Sequence, residues 1–239
     1  MNILCIGNSF SEDATRYLHQ ISDGKMYVRN LYIGGCSLER HWSNIVNESA
    51  DYEWQKNGRL LKMISINEAV TKKKWDYITV QQVSQDSGIA ETYEPYLTNI
   101  LEFLKEQCPK AEIVFHRTWA YDDNSTHGGF ANYDNNRKTM INAIIEASNQ
   151  LAGKHSLRVI PNGEAIELAR DLPEFQGERN INRDGFHLSL DYGRYLAGLV
   201  MYGFFSGDSP LNVTYEPENT DKEINKKLKE VAKKSLLGQ

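Results

Sequence analysis

Asn2-Ile-Leu-Cys-Ile-Gly7-Asn8-Ser9-Phe10-Ser11-Glu12-Asp13 lies at the start of the chain and decides how the rest is read. Residues 2–6 form a short apolar run that meets a glycine, the pattern of a buried strand stopped by a turn. Ser11-Glu12-Asp13-Ala14 then offers a capping oxygen and acidic residues for the first turn of a helix, with Tyr17, Leu18 and Ile21 as its apolar face. A strand that turns directly into a helix is the repeating unit of α/β folds.

The alternation continues outward from that stretch. Residues 27–33 read as a second strand ending in Gly34-Gly35, and Leu38, Trp42, Ile45 and Val46 mark the helix after it. Residues 51–66 break the pattern: Asn57-Gly58 between two strand-like runs is a strong short-range hairpin signal, read here as an antiparallel insertion. Residues 75–82 are the third core strand, 93–107 a helix and 111–116 the fourth strand. A polar loop, 121–132, leads to a long helix at 135–151 and a short strand at 157–160. Helices are expected at 165–170 and 190–204. Ile224, Leu228, Val231 and Leu236 fall on one stripe of a last helix, placed within 219–237 and docked on the body. Strands alternating with helices predict a parallel sheet covered on both faces, in one domain spanning residues 1–239.

Bulk properties narrow the function. The 239 residues are 40% hydrophobic and 25% charged, as expected of a globular chain with a sizeable core. A net charge of −5 argues against a nucleic-acid binder, which needs a basic face to neutralise phosphates. No apolar run is long enough to span a membrane. The N-terminus reads as a strand and not as a signal peptide, so a cytoplasmic location is expected; a leader already removed would leave the same sequence. Cys5, Cys36 and Cys108 are odd in number and widely spaced, which suits reduced thiols, and no metal site or cofactor is expected.

In open α/β sheets ligands bind beyond the carboxyl ends of the strands, so the residues just after each strand matter most. They are Gly7-Asn8-Ser9, Gly34-Gly35-Cys36-Ser37, Gln81-Gln82-Val83-Ser84-Gln85 and His116-Arg117-Thr118-Trp119. Arg183-Asp184-Gly185-Phe186-His187 precedes the last apolar helix. Ser9 sits between a strand and a helix N-terminus, where backbone N–H groups and the helix dipole favour a developing negative charge. A serine hydroxyl needs a base, and His187 is the candidate because Asp184, three residues earlier, can fix its tautomer. Each motif alone is weak: a surface aspartate beside a satisfied histidine is common. Their order along one sheet edge is what favours catalysis.

These segments resemble the SGNH (GDSL-type) hydrolases. Gly7-Asn8-Ser9-Phe10-Ser11 is similar to the first block of that family, with Asn8 where Asp is usual. Gly34-Gly35-Cys36-Ser37 is similar to the second block and Asp184-Gly185-Phe186-His187 to the last. The resemblance covers nearly the whole chain. It implies a flavodoxin-like three-layer α/β/α sandwich, with Ser9, Asp184 and His187 as catalytic residues and the N–H groups of Ser9 and Gly35 in an oxyanion hole. The third block departs from the family: Gln81-Gln82-Val83-Ser84-Gln85-Asp86 stands where Gly-x-Asn-Asp is usual. Gln82 is the preferred side-chain donor if the loop is short, Gln85 if the block has its usual length.

Asn8, His116 and Trp119 are expected to help bind substrate, with Trp119 packed under a loop as the plainer alternative for that residue. The loop at 122–129 reads as a solvated flap over the site. Polar loops with scattered aromatics favour a small acyl group, acetyl above all, on a sugar or another polar alcohol. The competing readings are a lipase- or thioesterase-type acyl hydrolase, and a non-catalytic carbohydrate-binding relative with a decayed site.

Overall fold

The computed structural model describes residues 1–177 and 179–237. Strand β1 (Asn2–Gly7) runs through the middle of the molecule, and its side chains alternate between two cores. Ile3 and Cys5 enter one core, Leu4 and Ile6 the other. A strand buried on both faces has to be apolar at both parities, which is why residues 2–6 look like an unbroken hydrophobic run.

Around β1 the sheet has seven strands in the order β4-β3-β2-β1-β5-β6-β7. Strands β2 (Tyr27–Tyr32), β5 (Tyr77–Val80), β6 (Glu112–His116) and β7 (Val159–Ile160) are parallel with β1. The remaining two, β3 (Tyr52–Lys56) and β4 (Arg59–Ile64), are the expected hairpin, turning through Asn57 (φ 52°) and Gly58 (φ 71°). The hairpin is not an excursion from the sheet. β3 pairs antiparallel with β2, Leu31 opposite Trp54, so the sheet is mixed and extends by two strands at one edge. Tyr52 and Trp54 are buried in the core and hold it there.

Helices α1 (Ser9–Thr15), α2 (Leu18–Ile21), α6 (Arg137–His155), α7 (Asn162–Arg170), α8 (Tyr192–Ser206) and α9 (Lys222–Leu236) contribute to the core on one side of the sheet. On the other side α3 (Leu38–Val46), α4 (Ile66–Thr71) and α5 (Tyr96–Gln107) cover Leu4, Leu31 and Ile78. The architecture is thus a three-layer α/β/α sandwich. α8 is buried around nearly its whole circumference, because α9 lays Ile224, Leu228 and Val231 over that layer. Side-chain caps begin several helices: Asn8 on α1, Ser37 on α3, Ser65 on α4, Asn136 on α6 and Asp221 on α9.

Several helix boundaries differ from the sequence reading: α5 starts at Tyr96, α6 runs on to His155 and α7 starts at Asn162. The first helix begins at Ser9, two residues before Ser11, because Asn8 accepts the Phe10 N–H at 3.0 Å. It also does not run on to Ile21; the chain breaks at Arg16–Tyr17 and restarts as α2. α4 has no assigned range in the sequence reading, which ends the hairpin at residue 66 and begins the third strand at residue 75. No helix among the described residues is long and apolar enough to cross a membrane.

The parallel strands alone run β2-β1-β5-β6-β7, so the connection order reverses at β1. Crevices form at such a reversal, beyond the carboxyl ends of the strands. Ser9 lies there.

Candidate active site

A cleft of about 220 Å³ opens over Asn8, Ser9 and Phe10. Tyr32, Gly34 and Gly35 line it after β2, and Val83, Ser84 and Gln85 after β5. His127, Phe186 and His187 close it from the later loops. A larger groove of about 680 Å³ lies among β7, α8 and α9, but it contains no serine–histidine pair. The smaller cleft is where the reactive groups meet.

The turn carrying Ser9 is built tightly. A Cβ on Gly7 would fall 2.6 Å from Ser11 Oγ and 2.9 Å from Gln81 Oε1, so only glycine lets the strand pass this close. Asn8 Oδ1 accepts the Phe10 N–H and Asn8 Nδ2 donates to the Cys36 carbonyl at 3.2 Å, tying the Ser9 turn to the Gly34-Gly35 turn. Ser9 occupies the first helical position, where a backbone N–H has no intrahelical acceptor. Gly35, held at φ +61°, also leaves its N–H without an acceptor among the described residues. Both residues line the cleft.

Asp184–His187 forms a loop closed by an isolated bridge between Asn182 and Leu188. Asp184 Oδ1 accepts the N–H groups of Phe186 (3.2 Å) and His187 (2.7 Å), and Oδ2 accepts the His187 Nδ1 proton at 2.7 Å. A carboxylate only accepts, so Nδ1 carries the proton and Nε2 is left basic. That Nε2 lies 2.9 Å from Ser9 Oγ. Partial burial pushes the Asp184 carboxyl up, but the hydrogen bonds from His187 and Phe186 outweigh it and leave it below the ordinary carboxylate value. Gly185, at φ +84°, accepts the Asp122 N–H on its carbonyl at 2.7 Å; a Cβ there would meet Ser125 Cα at 2.7 Å.

Sequence reasoning overlooked two groups. Gln81 Nε2 donates to Asn8 Oδ1 at 3.0 Å, and Gln81 Oε1 accepts from His116 Nδ1 at 2.8 Å. His116 Nε2 in turn accepts from Asn162 Nδ2 at 2.9 Å. This buried relay carries the order of β6 and α7 to the residue before Ser9. Asp13 is the second. It is 1% exposed; its Oδ2 accepts the Leu188 N–H at 2.9 Å and Arg183 at 3.0 Å, and its Oδ1 accepts Arg194 Nε at 2.7 Å. It therefore joins the Ser9 helix to the His187 loop. Beside Glu12 in a first helical turn it looked like an ordinary dipole partner.

Three expected site residues are placed elsewhere. Gln82, the preferred side-chain donor, is 1% exposed and turned away from the cleft. Its Oε1 accepts the N–H groups of Leu38 (2.9 Å) and Val83 (2.8 Å), while Nε2 donates to Thr92. Adjacent residues at a strand end point to opposite faces, and Gln82 takes the α3 side. His116 and Trp119 are fully buried and cannot touch a substrate. Trp119 stacks under Phe10 at 4.3 Å and donates its indole N–H to the Phe186 carbonyl at 2.7 Å, so both support the site from below. Asn8 lines the cleft, but both of its amide atoms are occupied. Gln85 lines the cleft as well, and its side-chain amide has no partner among the described residues. Burial pushes the Cys36 thiol, next to Gly35, up to about 12, so it stays protonated and is no rival nucleophile.

Among the described residues no cluster of side chains fits a metal ion. The comparisons with known proteins agree with this fold. A domain family described as a domain of unknown function, DUF4886, matches residues 2–236. A DUF4886 family protein from Bacteroides uniformis ATCC 8492 is 35% identical, with a TM-score of 0.92 over 99% of this chain and 95% of that one. A candidate SGNH hydrolase from Slackia heliotrinireducens is 21% identical, with a TM-score of 0.61 over 86% and 99% of the two chains. An acetyl xylan esterase is 14% identical, with a TM-score of 0.58 over 85% and 99%. No curated protein matches in sequence. The fold is therefore of the SGNH/GDSL type, and the chain belongs to the DUF4886 family.

Proposed function

We propose that the protein is a serine hydrolase that cleaves short-chain carboxylic esters, acetyl esters above all, of a sugar or similarly polar alcohol. The observation that carries this reading is the linear set Asp184 Oδ2–His187 Nδ1 (2.7 Å) and His187 Nε2–Ser9 Oγ (2.9 Å) at the mouth of the cleft. In this reading His187 takes the Ser9 proton as Oγ attacks the ester carbonyl. The N–H groups of Ser9 and Gly35 receive the oxyanion, joined by the Gln85 amide, the side-chain donor still free at the third strand end. His187 then protonates the leaving alcohol, and a water activated by the same imidazole releases the acid. Asp184 holds the tautomer and stabilises the imidazolium.

The cleft supports the substrate size. About 220 Å³ lies below the range usual for drug-sized ligands, and its lining mixes Gln85, Tyr32 and His127 with two phenylalanines. A long acyl chain finds no apolar channel there. The acetyl xylan esterase with the same fold is consistent with an acetyl group on a carbohydrate. Ser9→Ala is expected to abolish hydrolysis of 4-nitrophenyl acetate and labelling by a fluorophosphonate, and the wild type should turn over the acetyl ester faster than the octanoyl ester. Ser9-independent turnover would remove the nucleophile assignment; absence of labelling in the wild type would favour a binding module on a decayed site.

A further inference from the structure

We infer that His127 is a specificity-determining residue that donates its Nε2–H to an oxygen of the leaving alcohol; the inference rests on the esterase reading above. His127 comes from the polar loop after β6 and lines the cleft with Ser9 and His187. Its Nδ1 accepts the Gly129 N–H at 3.1 Å. A ring nitrogen that accepts an N–H carries no proton, so in the neutral ring the proton is on Nε2. Nε2 has no partner among the described residues. The cleft thus holds a donor that the protein itself leaves unused.

The ring packs into a corner formed by two aromatic rings that touch each other, Tyr121 and Phe186. Tyr121 lies 4.8 Å from it and Phe186 stands edge-on at 5.1 Å, centroid to centroid. Gly129 fixes the loop from behind: a Cβ there would fall 2.3 Å from Gln85 Cβ, so this loop closes against the third strand end only through a glycine. A polar donor already immobilised loses little entropy when a ligand arrives.

The position of His127 tells which part of the ester it meets. The acyl oxygen has to point at the N–H groups of Ser9 and Gly35. The leaving oxygen has to lie by His187 Nε2, which protonates it. Phe186 packs against both histidine rings, 5.1 Å from His127 and 4.2 Å from His187, centroid to centroid. His127 shares Phe186 with the histidine assigned to protonate the leaving oxygen, and on that ground its donor is assigned to the alcohol portion of the ester. An alcohol with a second oxygen near the ester, as every sugar has, can accept that hydrogen bond. A plain aryl or alkyl alcohol cannot.

The test compares 4-nitrophenyl acetate with a monoacetylated methyl glycoside. In His127→Phe, which keeps a ring against Tyr121 and Phe186 but removes the donor, the ratio of kcat/KM for the glycoside ester over the aryl ester is expected to fall about ten-fold, as for the loss of one neutral hydrogen bond. The fall should lie mainly in KM for the glycoside ester. His127→Gln, which restores an N–H donor, should recover part of the ratio. A ratio within two-fold of wild type in His127→Phe overturns the inference, and so does a His127→Gln ratio as low as that of the phenylalanine variant. If the wild type shows no Ser9-dependent hydrolysis of either ester, the esterase reading fails and this inference with it. An unchanged ratio alongside Ser9-dependent hydrolysis removes His127 alone.

Discussion

Gln81 and Gln82 are chemically identical neighbours whose amides face opposite sides of one strand end, and the site depends on which is which. Gln81 orders Asn8 beneath the nucleophile, whereas Gln82 caps the start of α3 and anchors Thr92. Gln82→Ala should therefore behave as a stability variant. It strands two buried N–H groups, at a cost of about 1–3 kcal/mol in urea unfolding, with Ser9 labelling retained. Gln85→Ala should do the reverse: kcat on 4-nitrophenyl acetate falls roughly 10²–10³-fold, as for loss of an oxyanion donor elsewhere, while the unfolding midpoint hardly moves. Equal kinetics in the two variants would mean that the oxyanion needs no side chain from this segment. The residue pattern leaves this choice open because it does not state where the strand ends. One position more or less exchanges the faces.

At the scale of elements, the distance between His187 and Ser9 is set by how the 182–188 loop seats on α1. Asp13 makes that joint, buried and shared by the Leu188 N–H, Arg183 and Arg194. Asp13→Asn keeps the shape but removes the charge facing both guanidinium groups. Breaking a buried pair costs about 3–5 kcal/mol, and a displacement of even 1 Å at a reacting pair can lower the rate roughly 10²-fold. The expected result is a lower unfolding midpoint with kcat reduced much more than KM is raised. A destabilised variant with wild-type kcat would make Asp13 purely structural. Elements of this kind were only partly legible in the sequence. The strands, the Asn57-Gly58 hairpin and the α9 stripe announce themselves because each follows a local periodicity or turn chemistry. The Asp13 joint spans most of the chain, and no local pattern marks it. His116 and Trp119 misled for the opposite reason: they follow a strand end, where site residues gather, yet the chain dips under Phe10 before it surfaces in the loop at 121–132. His127 was within that loop, and only its neighbours distinguish it from a solvated residue.

For the molecule as a whole, the buried histidines set the response to acid. Burial pushes both His41 and His116 down to about 3, so both are neutral in the fold, whereas in the unfolded chain they titrate near 6.5. Between those values the unfolded chain binds more protons. Stability is then complete above pH ~6.5 and declines as pH falls below it, by up to roughly 1.4 kcal/mol per pH unit for each histidine. Glu94 acts in a lower window. Partial burial raises its carboxyl, but hydrogen bonds from Lys154, Thr98 and His155 outweigh this and bring it to about 2, so its contribution is lost as pH falls from the ordinary glutamate range toward that value. Urea midpoints should hold from pH 7.5 to about 6.5 and fall steadily from there to pH 4.5, and a flat profile throughout would contradict the neutral, enclosed state of the two rings. The joint between α1 and the 182–188 loop also bears on how the molecule comes into being. Ser9 and His187 are 178 residues apart in the chain, and contacts so distant in sequence form late. Serine reactivity should therefore report completion of folding. During refolding, fluorophosphonate capture is expected to lag the burial of Trp75 and Trp119 followed by fluorescence, whereas simultaneous recovery would show that the two ends dock as the sheet forms.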